Sequence, residues 1–283
     1  MLHTTEGDPP PMPETPHPGQ PWALILGASS GFGEAAALAL AAAGYNICGV
    51  HLDRRQGMAH VEEIKEKIAA AGRQALYFNG NAADDEQRAK VIDGLKEAVR
   101  AEGRDGYVRV MLHSLAFGTL KPFLTPDPND GITRKNMDMT LDVMAHSLVY
   151  WAQDVWRAGL FRVGSKIYAM TSEGSSRVVG SYGAVSAAKS ALESHCRQLA
   201  MEFARNGSGV TVNAIRAGVT LTPALMQIPE RDQLIKYATD GNPMGRMTTV
   251  QDVAQAIVTL SGEGTHWMSG NVLGIDGAEL ITG

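Results

Sequence analysis

Residues 22–51 decide the fold: Trp22-Ala-Leu-Ile-Leu-Gly27, Ala28-Ser-Ser-Gly31-Phe-Gly33, Glu34-Ala-Ala-Ala-Leu-Ala-Leu-Ala-Ala-Ala-Gly44, then Asn46-Ile-Cys-Gly-Val-His51. A short apolar run closed by glycine reads as a buried strand, the alanine-rich segment as a helix, and Gly44 as its stop. Gly27 and Gly31 permit backbone conformations and close approaches that a side chain would block. Gly33 lets the helix pack tightly on the sheet, and the free N–H groups at the helix start offer a seat for a pyrophosphate. Three glycines in a turn are a weak signal alone; a strand before, a helix after and a second strand directly following supply the context it needs.

Outward from this unit the same alternation repeats. Helices are expected over about 53–71, 83–102, 133–158, 181–205 and 250–260, and strands over 74–78, 108–113, 165–170, 210–215 and 272–275. Alternating strands and helices with short connections argue for a parallel sheet covered on both faces, wound with right-handed crossovers. The fold class is therefore α/β: a single-domain, Rossmann-like, doubly wound parallel sheet flanked by helices, spanning 21–283. Residues 1–20, with Asp8-Pro-Pro-Pro11, Pro13, Pro16 and Pro18 and little to bury, read as a disordered Pro-rich tail.

Composition narrows the function. A formal charge of −5 gives no basic stripe for nucleic acid and no polybasic patch for a membrane surface. No run reaches the ~18 apolar residues of a membrane span, and the N-terminus lacks the pattern of a signal peptide. Cys48 and Cys196 sit in apolar runs and read as core residues of a reducing compartment. A cytoplasmic protein is expected. The eight histidines show no ligand spacing, so no metal is expected, and His113 reads as a residue that orders a loop. No Gly-x-Ser-x-Gly elbow points to a hydrolase.

The chemistry is expected around Met170-Thr-Ser172-Glu-Gly-Ser-Ser-Arg-Val-Val-Gly-Ser-Tyr182-Gly-Ala-Val-Ser-Ala-Ala-Lys189, where a strand end meets a helix start. Tyr182 and Lys189 are seven positions apart. On a helix they would share a face to within ~20°. Two longer connections, 116–131 and 217–247, follow strand ends and would ring the ligand crevice. The second holds Arg231-Asp-Gln-Leu-Ile-Lys-Tyr237, either a mobile substrate lid or an ordinary packed helix.

Together these residues resemble the short-chain dehydrogenase/reductase family over nearly everything after position 20. The Gly27-x-x-x-Gly31-x-Gly33 turn, Val212-Asn-Ala-Ile-Arg-Ala-Gly218 and Asn271-Val-Leu-Gly-Ile-Asp-Gly277 carry the likeness. Most members place the catalytic tyrosine four residues before the lysine, where this chain has Val185. The Tyr-x6-Lys spacing resembles the enoyl-acyl carrier protein reductases, as do Leu112-His-Ser-Leu-Ala-Phe117 and Pro243-Met-Gly-Arg-Met247. Ser172 stands where the most familiar enoyl reductases carry a second tyrosine. It either binds the substrate carbonyl or caps the strand end.

The resemblance implies a catalytic set of Tyr182, Lys189 and Ser172. It implies a nicotinamide cofactor bound by Gly27, Ser29, Ser30, Gly31, Phe32 and Gly33, by Asn81 and Ala82 beside the adenine, by Ser114 and Ala116 through the backbone, by Lys189 on the ribose, and by Gly218, Val219 and Thr222. At the end of the second strand the usual acidic place holds His51; Asp53 could hold an unphosphorylated ribose and favour NADH, while Arg54 and Arg55 could hold a 2′-phosphate. NADPH is the expectation, NADH the alternative. The implied reaction is reduction of trans-2-enoyl thioesters on acyl carrier protein, with Arg231 and Lys236 as candidate contacts for that acidic carrier and a homotetramer as the assembly. The alternatives are an oxidoreductase for ketones or other carbonyls, and a non-catalytic NADP(H) sensor.

Overall fold

The computed structural model describes residues 19–101, 106–127 and 129–282; the Pro-rich tail lies outside the described residues up to residue 18. Strand β1 (Pro21–Leu26) runs into α1 (Gly31–Ala42), followed by β2 (Asn46–His51), α2 (Met58–Ala70), β3 (Ala75–Asn79), α3 (Asp85–Ala101) and β4 (Tyr107–His113). Then come α4 (Arg134–Leu141) and α5 (Ser147–Arg157), β5 (Lys166–Thr171), α6 (Gly183–Arg205), β6 (Thr211–Ala217), α7 (Arg231–Gly241), α8 (Val250–Leu260) and β7 (Val272–Ile275). The strands form one sheet in the order β3-β2-β1-β4-β5-β6-β7, parallel at every pairing.

Side-chain alternation along each strand feeds two apolar layers. In β5, Ile167 and Ala169 join the layer holding Leu95 of α3, Trp151 of α5 and Leu192 of α6; Tyr168 and Met170 join the layer holding Leu40 of α1, Ile64 of α2 and Ile257 of α8. Both faces are thereby covered, as a parallel sheet requires. Trp151 and Val155 are fully buried, so their apolar character serves the core and not an assembly surface.

Two helices differ from the expected spans. The one foreseen from Asp53 starts at Met58, after a 3₁₀ turn at Arg55–Gly57, because the backbone of Asp53 is bonded to the side chain of Asn79. The long helix over 133–158 is divided by a π turn at Asp142–His146, a local widening that hydropathy periodicity does not register. It starts where Thr133 and Asn136 form a reciprocal capping box. The segment 231–237 is helical and extends to Gly241.

Candidate active site

From β1 the chain winds to one side through β2 and β3, and from β4 to the other, which opens a crevice at the carboxyl ends of β1 and β4. The glycine turn sits at its base. Gly27 (φ +88°) passes so near β4 that a Cβ there would lie 2.4 Å from the Ser114 carbonyl oxygen. A Cβ on Gly33 would lie 1.9 Å from the Gly27 carbonyl oxygen. Ser30, extended at the α1 N-cap, makes no side-chain capping bond, so the first amides of α1 have no side-chain partner and can meet an anion. Phe32 is partly buried and packs on the core. Thr222, from the segment after β6, closes over Gly31, its Cγ2 3.5 Å from where a Cβ would stand. The cradle fits a dinucleotide phosphate: it is narrow, backbone-lined and at a helix N-terminus.

At the end of β2, buried His51 joins its Nδ1 to Asp53 Oδ2 at 2.9 Å, while the Asp53 amide donates to Asn79 Oδ1 at 3.0 Å and the Asn79 amide returns a bond to the Asp53 carbonyl at 2.9 Å. Asp53 is thus fixed. Arg54 and Arg55 are exposed and form no ion pair among the described residues. Beyond β3, Asn81 Oδ1 accepts the Ala83 amide at 3.0 Å, and the buried Ala82 offers its carbonyl to the Trp151 indole at 2.7 Å, which anchors this corner to the core. Ser114 donates its amide to the Leu26 carbonyl at 2.9 Å; Ala116, two residues on, is exposed at the crevice.

The chemistry end is built by β5 and α6. Tyr182 is the residue before α6, in a 3₁₀ turn spanning Gly180–Tyr182, one position short of the helix proper. Its ring covers Gly174, where an added Cβ would meet Cε1 at 2.6 Å and Ser172 Oγ at 3.3 Å. Burial raises the phenol above its ordinary pKa, and the neighbouring Ser172 side chain partly opposes this. The Ser172 hydroxyl is buried beside the Tyr182 ring and makes no cap to the following turn, so the strand-capping reading is not realised. Val185, at the place of the commoner tyrosine, is buried against Met144 and Thr140 next to Gly118; that place belongs to the core.

Lys189 is buried, its ammonium donating to the Met170 carbonyl at 2.6 Å and, more weakly, to the Leu115 carbonyl at 3.4 Å. Burial lowers its pKa to about 8, with Cys196 and Glu193 pulling the other way. His113 is wholly buried; Nε2 meets Ser147 Oγ at 2.8 Å, and that hydroxyl donates to the Val143 carbonyl at 2.8 Å, which ties the end of β4 to the π turn. Burial and then Lys189 push the imidazole down to about 3, so it is neutral. Among the described residues no group of three or more His, Cys, Asp or Glu could hold a metal. No described helix is long and apolar enough to cross a membrane.

Several contributors escape sequence reading. Glu279, buried in the C-terminal segment, accepts the Val219 amide at 3.0 Å, and Gly218 has room for no Cβ between Thr248 Oγ1 and Glu279 Oε2. The Val219 amide is therefore engaged, leaving its carbonyl for a ligand. Glu230, before α7, accepts the Ser181 amide at 3.1 Å. Arg177 donates to the Tyr237 hydroxyl at 3.3 Å. Of the two cations considered for a carrier, Lys236 is paired with Asp240, and Arg231 lies 3.7 Å from Asp232 and donates to the Met226 carbonyl.

A family model described as enoyl-(acyl carrier protein) reductase matches residues 27–277. The chain belongs to this family, within the short-chain dehydrogenases/reductases. It is an oxidoreductase of that type. Its relatives include the following two. The enoyl-[acyl-carrier-protein] reductase [NADH] FabI of Buchnera aphidicola subsp. Baizongia pistaciae is 29% identical over 227 residues, 79% of this chain and 83% of the relative. Versicolorin reductase 1 of Aspergillus parasiticus is 26% identical over 267 residues, 90% of this chain and 94% of the relative. The fold is shared with the crystal structure of enoyl-[acyl-carrier-protein] reductase (NADH) from Aquifex aeolicus VF5, at a TM-score of 0.79 and 23% identity, covering 94% of this chain and 98% of that one.

Proposed function

We propose that this protein reduces trans-2-enoyl thioesters, carried on acyl carrier protein, with NADPH as reductant. The observation carrying this reading is the displacement of the phenol: Tyr182 stands before the first turn of α6 and Val185 is consumed by the core. A bound reduced nicotinamide would supply a hydride to the β-carbon. In a conjugated thioester the negative charge then develops on an oxygen two carbons further away, so a donor set back by three positions, ~4.5 Å along a helix axis, suits that oxygen better than a ketone oxygen. Tyr182, kept protonated by burial, donates a hydrogen bond to the developing enolate oxygen, the electrostatic contribution that is usually largest. Lys189, held by the Met170 carbonyl, presents its charge to the nicotinamide ribose.

Other features support the substrate and the nucleotide. Phe117, Phe123, Leu221, Met226 and Met244 are exposed apolar side chains on the two loops that rim the crevice, a surface suited to an acyl chain. Arg54 and Arg55 have no acidic partner among the described residues and suit a 2′-phosphate, whereas one oxygen of Asp53 is engaged by His51. Assembly as a homotetramer and the carrier protein as donor of the substrate belong to the same proposal.

A second reading, reduction of a ketone, is favoured by one observation: Ser172 places a buried hydroxyl beside the Tyr182 ring, where the two could share a carbonyl oxygen. The versicolorin reductase relative points the same way. Loss of nucleotide absorbance with crotonyl thioester, for NADPH and NADH separately and with Tyr182→Phe beside the wild type, discriminates. The enoyl reading expects oxidation that falls ~10²–10³-fold in the variant, the usual loss on removing an oxyanion donor. Oxidation with a ketone panel but none with the thioester would replace it by the second reading.

A further inference from the structure

The segment after β6 touches the turn that carries Tyr182 at one polar point. Glu230, the residue that opens α7, turns its carboxylate onto Ser181: Oε1 accepts the Ser181 amide at 3.1 Å and its hydroxyl at 3.4 Å. The fit is close, since a Cβ on Gly180 would stand 2.1 Å from that oxygen. Ser181 is also where the backbone leaves helical geometry (φ −77°, ψ 15°) immediately before Tyr182. Further along α7, Tyr237 accepts from Arg177, whose guanidinium lies 2.7 Å from Glu173 in the same loop after β5.

We infer that Glu230 is a positioning residue: the docking of α7 and the setting of the turn that presents Tyr182 are one event, joined through Ser181. The other carboxylate oxygen, Oε2, is buried and has no hydrogen-bond partner among the described residues, so the carboxylate is held there through Ser181. Docking of α7 through this contact orders the turn that carries the phenol, and its release loosens that turn. The inference rests on the reading of Tyr182 as the proton-donating group of a reductase, and its structural half is testable without turnover.

The test is amide hydrogen exchange on the full chain, comparing wild type with Glu230→Ala and Gly180→Ala. The first removes the acceptor. The second places a methyl where the carboxylate sits, at a glycine outside the left-handed region, so it dislodges Glu230 without altering either Glu230 or Tyr182. Both should speed exchange of the Ser181 amide and of α7 by about tenfold or more, as local opening does. NADPH affinity, read by fluorescence, should change by less than about threefold, while kcat for crotonyl thioester falls about tenfold, the signature of lost order at the reacting group. Wild-type exchange at Ser181 in Gly180→Ala, or faster exchange in α7 with the Tyr182 turn unchanged, would overturn the coupling. Should Glu230→Ala fail to fold, Gly180→Ala alone decides. If the wild type reduces no enoyl thioester, the exchange result still judges the latch, and only the functional reading fails.

Discussion

Lys189→Met in the nucleotide-free protein tests how the site holds its charge. The ammonium, on α6, is buried with two carbonyl acceptors and, among the described residues, no carboxylate bonded to it, and its pKa falls from 10.5 to about 8. Because the folded-state value lies below the unfolded one, the unfolded chain binds more protons between about pH 8 and pH 10.5, and stability rises with pH across that window. At ~1.4 kcal/mol per tenfold change in the proton equilibrium, ionised Lys189 costs the fold about 3 kcal/mol at pH 7, most of it recovered by pH 10. Urea denaturation of wild type and Lys189→Met at pH 7 and pH 10 reads this directly. Wild type should gain about 2 kcal/mol on the variant between the two pH values. Lys166, also buried and lowered to about 8, is common to both proteins and cancels. Parallel pH profiles would refute the reasoning, since they would mean that the ammonium is solvated. The same variant should lose NADPH affinity, the purpose for which a costly buried charge is retained.

Two further substitutions test the nucleotide cradle. Gly33→Ala drives a methyl into the Gly27 carbonyl oxygen, a backbone atom that cannot swing away; a loss of ~1–3 kcal/mol in urea denaturation and weakened NADPH binding are expected, and unchanged affinity would contradict the cradle. Arg54→Ala with Arg55→Ala should weaken NADPH binding by about tenfold to a hundredfold, the worth of a charge-assisted bond, and leave NADH unchanged; equal losses for both nucleotides would remove the arginines from the 2′-phosphate.

The parts of the fold legible in sequence are those written in local chemistry. The turn from Gly27 to Gly33 shows itself because backbone passes backbone where no Cβ fits, and only glycine satisfies that. The spacing of Tyr182 and Lys189 was equally plain, though the helix begins at Gly183 and leaves Tyr182 in a tighter turn that spacing alone does not reveal. What periodicity missed are contacts made between distant segments. Glu279 reaches Val219 across 60 positions and Glu230 reaches Ser181 across 49; each is a carboxylate that reads as an ordinary surface charge until the chain closes on itself. Ser147 was likewise hidden, because its bonds to His113 and to the Val143 carbonyl join segments 34 positions apart next to a π turn that periodicity does not register. The contact of His51 with one oxygen of Asp53 was hidden in the same way, since the pair forms only where the end of β2 meets Asn79.

The central claim is that the displaced Tyr182 serves an enolate oxygen and not a ketone oxygen. Its most direct test is to follow the label from nicotinamide deuterated at the transferable position during single-turnover reaction with crotonyl thioester, with a ketone substrate run alongside. Deuterium is expected at the β-carbon of the saturated thioester, formed faster than any alcohol from the ketone. Deuterium delivered only to the ketone's carbonyl carbon, with the crotonyl thioester returned unreduced, would contradict it.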